Sequence, residues 1–227
     1  MAKTINAFPL TVLHDQLGLD PQYQEALVRK ILAQRQRDPS KPAGEAWTGE
    51  GRDRASLQTL PDFDLLFDRL AVAVAGYLAT LGVSRDKFSL FFAKSWGGVA
   101  ERGERLSNRS YPEGHIGFSC FLKMPLRGAT LNFYQRNPQN EFLSSIFTQR
   151  MIKAGVLQKV LPVNTGAVTM DTAEGDVAIY AGKTEYGTQA NAVDAPWISV
   201  SGFLILTLKD STEIEWGTPD PKNWKEF

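Results

Sequence analysis

Histidine and cysteine are both scarce in this sequence. Its 227 residues include two histidines, His14 and His115, and one cysteine, Cys120. A single cysteine excludes an internal disulfide, which is typical of proteins kept in a reducing compartment. Most metal binding and proton transfer near neutral pH uses histidine. Two histidines that lie far apart in the sequence therefore leave little material for a histidine-based site.

The sequence also lacks an excess of charge of either sign and a long apolar run. Lysine and arginine total 25, as do aspartate and glutamate, so the formal net charge is zero. Proteins that grip nucleic-acid phosphates usually carry a basic excess, so we expect no nucleic-acid partner. The most apolar run, 71–81, is shorter than the roughly 20 residues that span a bilayer. The first residues do not have the pattern of a signal peptide, so we expect neither a membrane partner nor secretion.

Two apolar periods divide the chain. A period of 3.6 residues predicts one helix over 21–37, with Asp20 as its N-cap and Pro21 at its first position, and a second helix from Pro61 onward. After Gly82 the period changes to two, which predicts six to eight antiparallel strands. The clearest strands are expected at 87–96, 117–125, 129–135, 166–172, 175–182 and 197–209.

Helices followed by strands predict one α+β domain that is mainly β, with the strands forming a sandwich or jelly roll. We assign 1–85 to a mainly helical part, 86–209 to the strands and 210–227 to an irregular tail, all within a single domain over 1–227. Two weaker elements complete the prediction. They are an edge strand within 4–13, and a short helix followed by another strand within 140–161.

Six short motifs occur in a fixed order along the chain. They are "AW" at 46–47, "SWGG" at 95–98, "IGFSCFLKMP" at 116–125, "GATLNFYQRNP" at 128–138, "EGDVAIYAGKTEYGTQAN" at 174–191 and "WISVSGF" at 197–203. In order and spacing the chain resembles the family of 2-oxoglutarate/Fe(II) oxygenases, small proteins of bacteria and phages. The resemblance implies N-terminal helices packed on a double-stranded β-helix, a kind of jelly roll.

The same resemblance implies an iron site whose usual residues are missing here. Family members hold iron with two histidines and a carboxylate or third histidine, and bind 2-oxoglutarate through an arginine on the last strand. Counting along the motifs puts Asn108, Ser110 and Tyr186 at the iron positions and Trp197 at the arginine position. Asn191 does match the family. We therefore expect no catalytic residue, no metal and no cofactor.

His115 is the one histidine near the first iron position. With Glu113 beside it in the sequence and Glu185 next to the second expected iron position, it is a candidate for a weak metal ligand. The two-histidine site of the family would still be absent, so we favour an ordinary loop histidine.

Trp197 allows two interpretations. Its indole would fill the former cofactor pocket with apolar bulk and remove the charge that balances 2-oxoglutarate. Either the pocket has closed into core packing, which we favour, or an aromatic-lined pocket binds a different ligand.

The missing iron site favours a non-catalytic structural or assembly protein on an oxygenase-like scaffold. Because the family occurs in tailed phages, the resemblance implies a neck or tail component of a virion. Expected partners are proteins, either further copies of this chain or virion proteins, and the expected location is the host cytoplasm or the virion. Aromatic side chains of the tail are candidate interface residues: Trp216, Trp224 and Phe227.

The alternative hypotheses keep a function inside the barrel. One is an Fe(II)/2-oxoglutarate oxygenase with unusual ligands. The other is a protein that binds a small ligand in the closed barrel.

Overall fold

The computed structural model describes residues 3, 6, 7, 9–51, 55–126, 128–135, 139–210 and 225. Strands make up most of the regular structure, which confirms the prediction of a mainly β chain. The helices are α1 (Pro21–Arg37), α2 (Asp64–Thr80) and α3 (Gln149–Lys153). The strands are β1 (Leu13–Gln16), β2 (Trp47–Thr48), β3 (Phe88–Ala100), β4 (Ile116–Lys123), β5 (Leu131–Tyr134), β6 (Ala167–Met170), β7 (Asp176–Ala181), β8 (Glu185–Thr188) and β9 (Trp197–Leu208).

The two long helices begin as the sequence predicts. The Asp20 carboxylate accepts hydrogen bonds from the backbone amides of Gln22 and Tyr23, and Pro21 occupies the first helical position of α1. A short 3-10 turn that starts at Pro61 leads into α2. Within the described ranges, no helix combines the length and the apolar character needed to cross a bilayer.

The strands form two antiparallel sheets. A six-stranded sheet has the order β1-β7-β4-β9-β3-β2, and a three-stranded sheet has the order β6-β5-β8. The long central pair β3 and β9 runs from Phe88 opposite Leu208 to Ala100 opposite Trp197. Neighbours in this order are far apart in sequence, which is the crossed connectivity of a jelly roll.

Alternate side chains of the six-stranded sheet enter two separate cores. On β7, Val177 and Ile179 join the side chains of α1 and α2, whereas Ala178 and Tyr180 point toward the three-stranded sheet. The helix-side core includes a contact between Phe67 of α2 and Phe118 of β4, whose rings lie 6.3 Å apart. Burial on both faces explains why the central strands are apolar at almost every position.

The core between the two sheets is called here the inner core. It is rich in aromatic side chains and consists of Ala46, Ala55, Trp96, Ala100, Leu106, Tyr111, Phe121, Met124, Leu131, Phe133, Ala178, Tyr180, Tyr186, Trp197 and Phe203. In a jelly roll this is the space inside the barrel. Here side chains fill it.

Three expectations from the sequence need correction or stay open. The N-terminal edge strand exists but lies later, at Leu13–Gln16, where it pairs with β7. The strand expected after the short helix near 149–153 is wrong, because the described residues there continue as turns and a 3-10 turn at Pro162–Asn164. The tail aromatics Trp216, Trp224 and Phe227 lie outside the described residues.

Two glycine substitutions test how closely the sheets and helices pack. A Cβ on Gly202 of β9 would meet the carbonyl oxygen of Lys94 and the ring of Phe118, whereas a Cβ on Gly76 of α2 would meet nothing within 4 Å. We expect Gly202→Ala to lower the free energy of unfolding by about 1–3 kcal/mol or more through overpacking. Gly76→Ala should raise it by roughly 0.5–1 kcal/mol, because alanine favours a helix over glycine. Urea denaturation measures both, and equal effects would contradict the packing described here.

Candidate functional site

Arg109 and Tyr186 form a backbone bridge at the edge of the three-stranded sheet. The Arg109 amide donates to the Tyr186 carbonyl at 2.8 Å, and the Tyr186 amide donates to the Arg109 carbonyl at 2.9 Å. Two residues paired in this way project their side chains on the same face of the sheet. Tyr186 is 1% exposed inside the inner core, so Arg109 faces the same interior. Tyr111, two residues later, also enters the inner core.

Asn108 and Ser110 lie on the other side of this segment. Asn108 is exposed, and its amide nitrogen lies 3.5 Å from a carboxylate oxygen of Glu185, the residue before Tyr186. Ser110 is half-buried. Side chains alternate along an extended chain, so the residues that accompany Tyr186 into the barrel are Arg109 and Tyr111. The structure thus does not bring together Asn108, Ser110 and Tyr186, the set that counting along the sequence predicts.

A chain of hydroxyl groups runs through the inner core. The Ser201 hydroxyl donates to the Ser119 hydroxyl at 3.3 Å, and Ser119 is 3.1 Å from the Tyr180 hydroxyl. The ring of Tyr180 lies 5.0 Å from that of Tyr186. Burial raises the pKa of Tyr180 well above its usual value and raises that of Tyr186 to about 12. Both phenols are therefore neutral at physiological pH.

Three charged side chains lie at the mouth of the barrel. Nη1 of Arg109 donates to a Glu50 carboxylate oxygen at 3.0 Å, and Nζ of Lys94 is 3.6 Å from the other oxygen. The Lys94 ammonium also lies 5.5 Å from the centre of the Trp96 ring. Arg109 further hydrogen-bonds the carbonyl of Ser107. These side chains are 23–32% exposed, and the two cations share one carboxylate.

Trp197 begins β9 deep in the inner core. It is 1% exposed, its ring lies 6.5 Å from that of Phe121, and its six-membered ring faces Gly98. Its indole N–H has no hydrogen-bond partner among the described residues. The position where the family resemblance implies an arginine is therefore occupied by an apolar contact between β3, β4 and β9.

Asn191, the polar residue that matches the family, has a structural task. It is 1% exposed, its amide nitrogen donates to the carbonyls of Ala100 and Ala195 at 3.1 and 2.9 Å, and its carbonyl accepts from the amide of Val193 at 3.2 Å. The side chain thus ties the β8–β9 connection to the end of β3. This role needs no metal.

The two histidines lie apart and each binds a protein group. Nδ1 of His115 accepts the backbone amide of Leu206 at 2.9 Å, with the ring exposed at the start of β4. Nε2 of His14 on β1 lies 2.8 Å from a carboxylate oxygen of Asp176 on β7. Glu113, which accompanied His115 in the weak-ligand hypothesis, is exposed. The hydrogen bond from the backbone of Leu206 thus holds His115 at the end of the sheet.

The residues at the barrel interior do not fit iron or 2-oxoglutarate. Among the described residues, no group of three or more His, Cys, Asp or Glu side chains is arranged to hold a metal ion. Tyrosine binds iron as the phenolate, and burial opposes that form of Tyr186 by raising its pKa. Arg109 beside it is a cation, which repels a metal ion. At the position where the family resemblance implies an arginine, Trp197 offers 2-oxoglutarate no positive charge.

The sequence-based count of positions back from Gly117 did not identify Arg109 and Tyr111 as interior residues. In the segment "NRSYP", Asn108 and Ser110 face outward and alternate with Arg109 and Tyr111, which face inward. That alternation becomes visible only once 109 is known to pair with Tyr186. The loop between this pair and β4 contains Pro112 and Gly114, so no regular period crosses it.

Comparisons with known proteins identify the fold of this chain. No model of a known protein family matches the sequence, and no curated protein sequence matches it. Among solved structures, HygX from Streptomyces hygroscopicus, with nickel and 2-oxoglutarate bound, is 12% identical; the match covers 86% of this chain and 82% of HygX with a TM-score of 0.55. AviO1 from Streptomyces viridochromogenes Tue57 is 15% identical, with 93% of each chain covered and a TM-score of 0.54.

A third neighbour is an oxidoreductase of the 2OG-Fe(II) oxygenase family from Burkholderia pseudomallei, 12% identical over 85% of this chain and 83% of that one, with a TM-score of 0.52. The comparisons favour the oxygenase alternative of the sequence analysis over its virion hypothesis, for which they offer no support. Identities this low carry the fold alone. The chain accordingly has the jelly-roll fold of 2-oxoglutarate/Fe(II) oxygenases.

Proposed function

We propose that this chain keeps the oxygenase fold without the iron chemistry and acts by binding a protein partner. The observation that carries the proposal is the backbone bridge between Arg109 and Tyr186. It places a guanidinium and two phenols, those of Tyr186 and Tyr111, on the interior face of the barrel. The usual donors for iron in this fold are imidazole and carboxylate. This set contains neither an imidazole nor a carboxylate.

The packing of the barrel supports the same proposal. An oxygenase needs open coordination positions and space for substrate beside the metal. Here the corresponding space holds the rings of Tyr180, Tyr186 and Phe133, with centroid distances of 5.0 and 5.2 Å between neighbours. Such distances are those of aromatic rings packed in contact. The small-ligand alternative meets the same obstacle, because a ligand would have to displace these rings.

Metal and cofactor binding test the proposal directly. We expect the wild-type protein, purified and titrated with Fe(II) without oxygen, to retain no stoichiometric metal by elemental analysis. Addition of 2-oxoglutarate should leave its tryptophan fluorescence unchanged, because Trp197 lies in the packed interior where the cofactor would bind. One bound metal per chain would contradict the proposal.

A second candidate function is an oxygenase with unusual ligands. The observation in its favour is the fold shared with proteins such as HygX, whose structure holds nickel and 2-oxoglutarate. The same titration separates the two candidates. Metal at one per chain together with 2-oxoglutarate-dependent quenching would support the oxygenase and replace the non-catalytic proposal.

The buried phenol of Tyr186 makes a further prediction about alkaline stability. Its folded pKa of about 12 lies above the usual 10, so above pH 10 the unfolded chain loses this proton while the folded chain keeps it. The stabilisation is complete below pH 10 and is lost as the pH rises toward 12. Between pH 10 and 12, ionisation of Tyr186 in the unfolded chain should lower the free energy of unfolding by up to about 3 kcal/mol.

Tyr186→Phe should therefore show a shallower fall of stability between pH 10 and 12 than the wild-type protein. Urea denaturation at a series of pH values measures the slope, and the two proteins should have similar slopes between pH 7 and 9. Equal slopes in the alkaline range would show that Tyr186 ionises as freely in the folded protein as in the unfolded one.

The partner we propose is a second copy of this chain, bound through β6. This strand is at one edge of the three-stranded sheet, and its first three residues are exposed. Within Ala167–Met170 it carries no lysine or proline, residues that commonly protect an open edge. Two copies of one strand pair antiparallel about a two-fold axis, so this edge is complementary to itself.

Exposed apolar side chains also lie on this strand and in the connection that leads to it. In the connection from β5 to β6 and on β6 itself they include Phe142, Leu143, Val156, Val160, Leu161, Val163 and Val168, exposed by 39–84%. A cluster of this kind on the surface is typical of a protein interface. Pairing through β6 would bring the cluster of one copy near that of the other.

The self-association proposal predicts a dimer that one charge can disrupt. Val168→Lys puts a charge on the proposed pairing edge and should shift the protein to monomer in light scattering after size exclusion. Val72→Lys is the matched control, because Val72 is 72% exposed on α2, outside this surface. A wild-type protein that stays monomeric at high concentration, or a dimer that both variants leave intact, would contradict the proposal.

A further inference from the structure

Arg109 is the one cationic side chain on the interior face of the segment that pairs with β8. The proposed function says that the iron chemistry is absent, and the following inference rests on it by asking what has replaced the metal. We infer that the guanidinium of Arg109 takes the place of the metal ion, and that positions 109, 111 and 186 are the metal-facing positions of this fold.

The contacts around Arg109 resemble those of a bound cation. Oxygen atoms approach it from two parts of the chain: a carboxylate oxygen of Glu50, and the carbonyl of Ser107 in its own segment. The phenol of Tyr111 in the same segment lies close enough to interact with its charge. Tyr186 lies directly across the backbone bridge. A metal ion in a barrel is likewise held by oxygen or nitrogen atoms from separate strands, which it ties together.

Burial explains why these oxygen atoms are needed. The Arg109 side chain is 23% exposed, and a partly buried cation loses hydration that its neighbours must replace. Glu50 supplies the opposite charge, and the planar guanidinium offers several donors to separate acceptors. The side chain thus joins the segment after β2 to the segment 106–111, which the backbone bridge holds against the strand β8. Arg109 is a positioning residue that closes the barrel mouth.

If positions 109 and 186 are the metal-facing pair, histidines placed there should recreate a site. Residues in a hydrogen-bonded antiparallel pair have Cα atoms about 5.5 Å apart, which lets two imidazoles reach one metal at roughly 2.0–2.1 Å. Histidines at 108 and 186 would project from opposite faces of the segment and could not share a metal. Moving one histidine from position 109 to position 108 therefore distinguishes this inference from the sequence-based assignment of Asn108 as an iron position.

The experiment compares Arg109→His/Tyr186→His with Asn108→His/Tyr186→His and the wild-type protein. The probe is Ni²⁺, measured by isothermal titration calorimetry and by the change in melting temperature. We expect the 109/186 variant to bind Ni²⁺ about tenfold or more tightly than the wild-type protein and to melt higher in its presence. The 108/186 variant should match the wild-type protein in both measurements.

Each outcome decides the question. Equal or tighter Ni²⁺ binding by the 108/186 variant, or no gain by the 109/186 variant, would overturn the inference. If the 109/186 variant is unfolded without metal, circular dichroism with added Ni²⁺ replaces the titration; refolding supports the inference and failure to refold overturns it. Failure here is distinguishable from failure of the proposed function, whose tests are iron binding and self-association of the wild-type protein.

Discussion

Two backbone hydrogen bonds between Arg109 and Tyr186 determine which side chains the barrel contains. They attach the irregular segment before β4 to β8, so that the three-stranded sheet gains a covered edge on this side. They also fix the alternation of the segment, which sends Arg109 and Tyr111 inward and Asn108 outward. The charge at the barrel mouth follows from that alternation. Because side chains alternate with a period of two, a register one residue different would place Asn108 and Ser110 inside and the arginine in water.

The inner core then differs in kind from the helix-side core. Aliphatic and aromatic side chains such as Phe63, Phe67 and Phe118 fill the space beneath the helices, whereas serine and tyrosine hydroxyls run through the space between the sheets. A buried hydroxyl without a partner costs about 1–3 kcal/mol, so a chain of hydroxyls is stable only if each member finds another. Ser119, Tyr180 and Ser201 satisfy one another. These three hydroxyls therefore do not require a ligand to explain them.

The sequence predicts the scaffold well because the scaffold depends on local patterns. Asp20 and Pro21 define the start of the first helix, and the change of period after Gly82 locates the strands. It predicts the barrel mouth poorly. Counting back from Gly117 crosses Pro112 and Gly114, where the chain turns and no period persists, and an error of one residue reverses the face. The pairing partner of Arg109 is 77 residues away in sequence, and such a contact leaves no trace in local periodicity.

The same distinction bears on the proposal that this chain keeps the fold without the iron chemistry. Asn191 and Gly98 are required by the backbone, because one ties the β8–β9 connection to β3 and the other leaves room for Trp197 and Ser199. The residues that would serve iron are required only by the metal. If a guanidinium with its own carboxylate provides the cation that joins the strands, the strands remain tied without histidine. Selection on the scaffold would then preserve the motifs that carry the family resemblance, while the interior positions change to phenols and an indole that pack. One molecule can then share the fold of these oxygenases and still lack the imidazole and carboxylate ligands for iron at the interior positions described here.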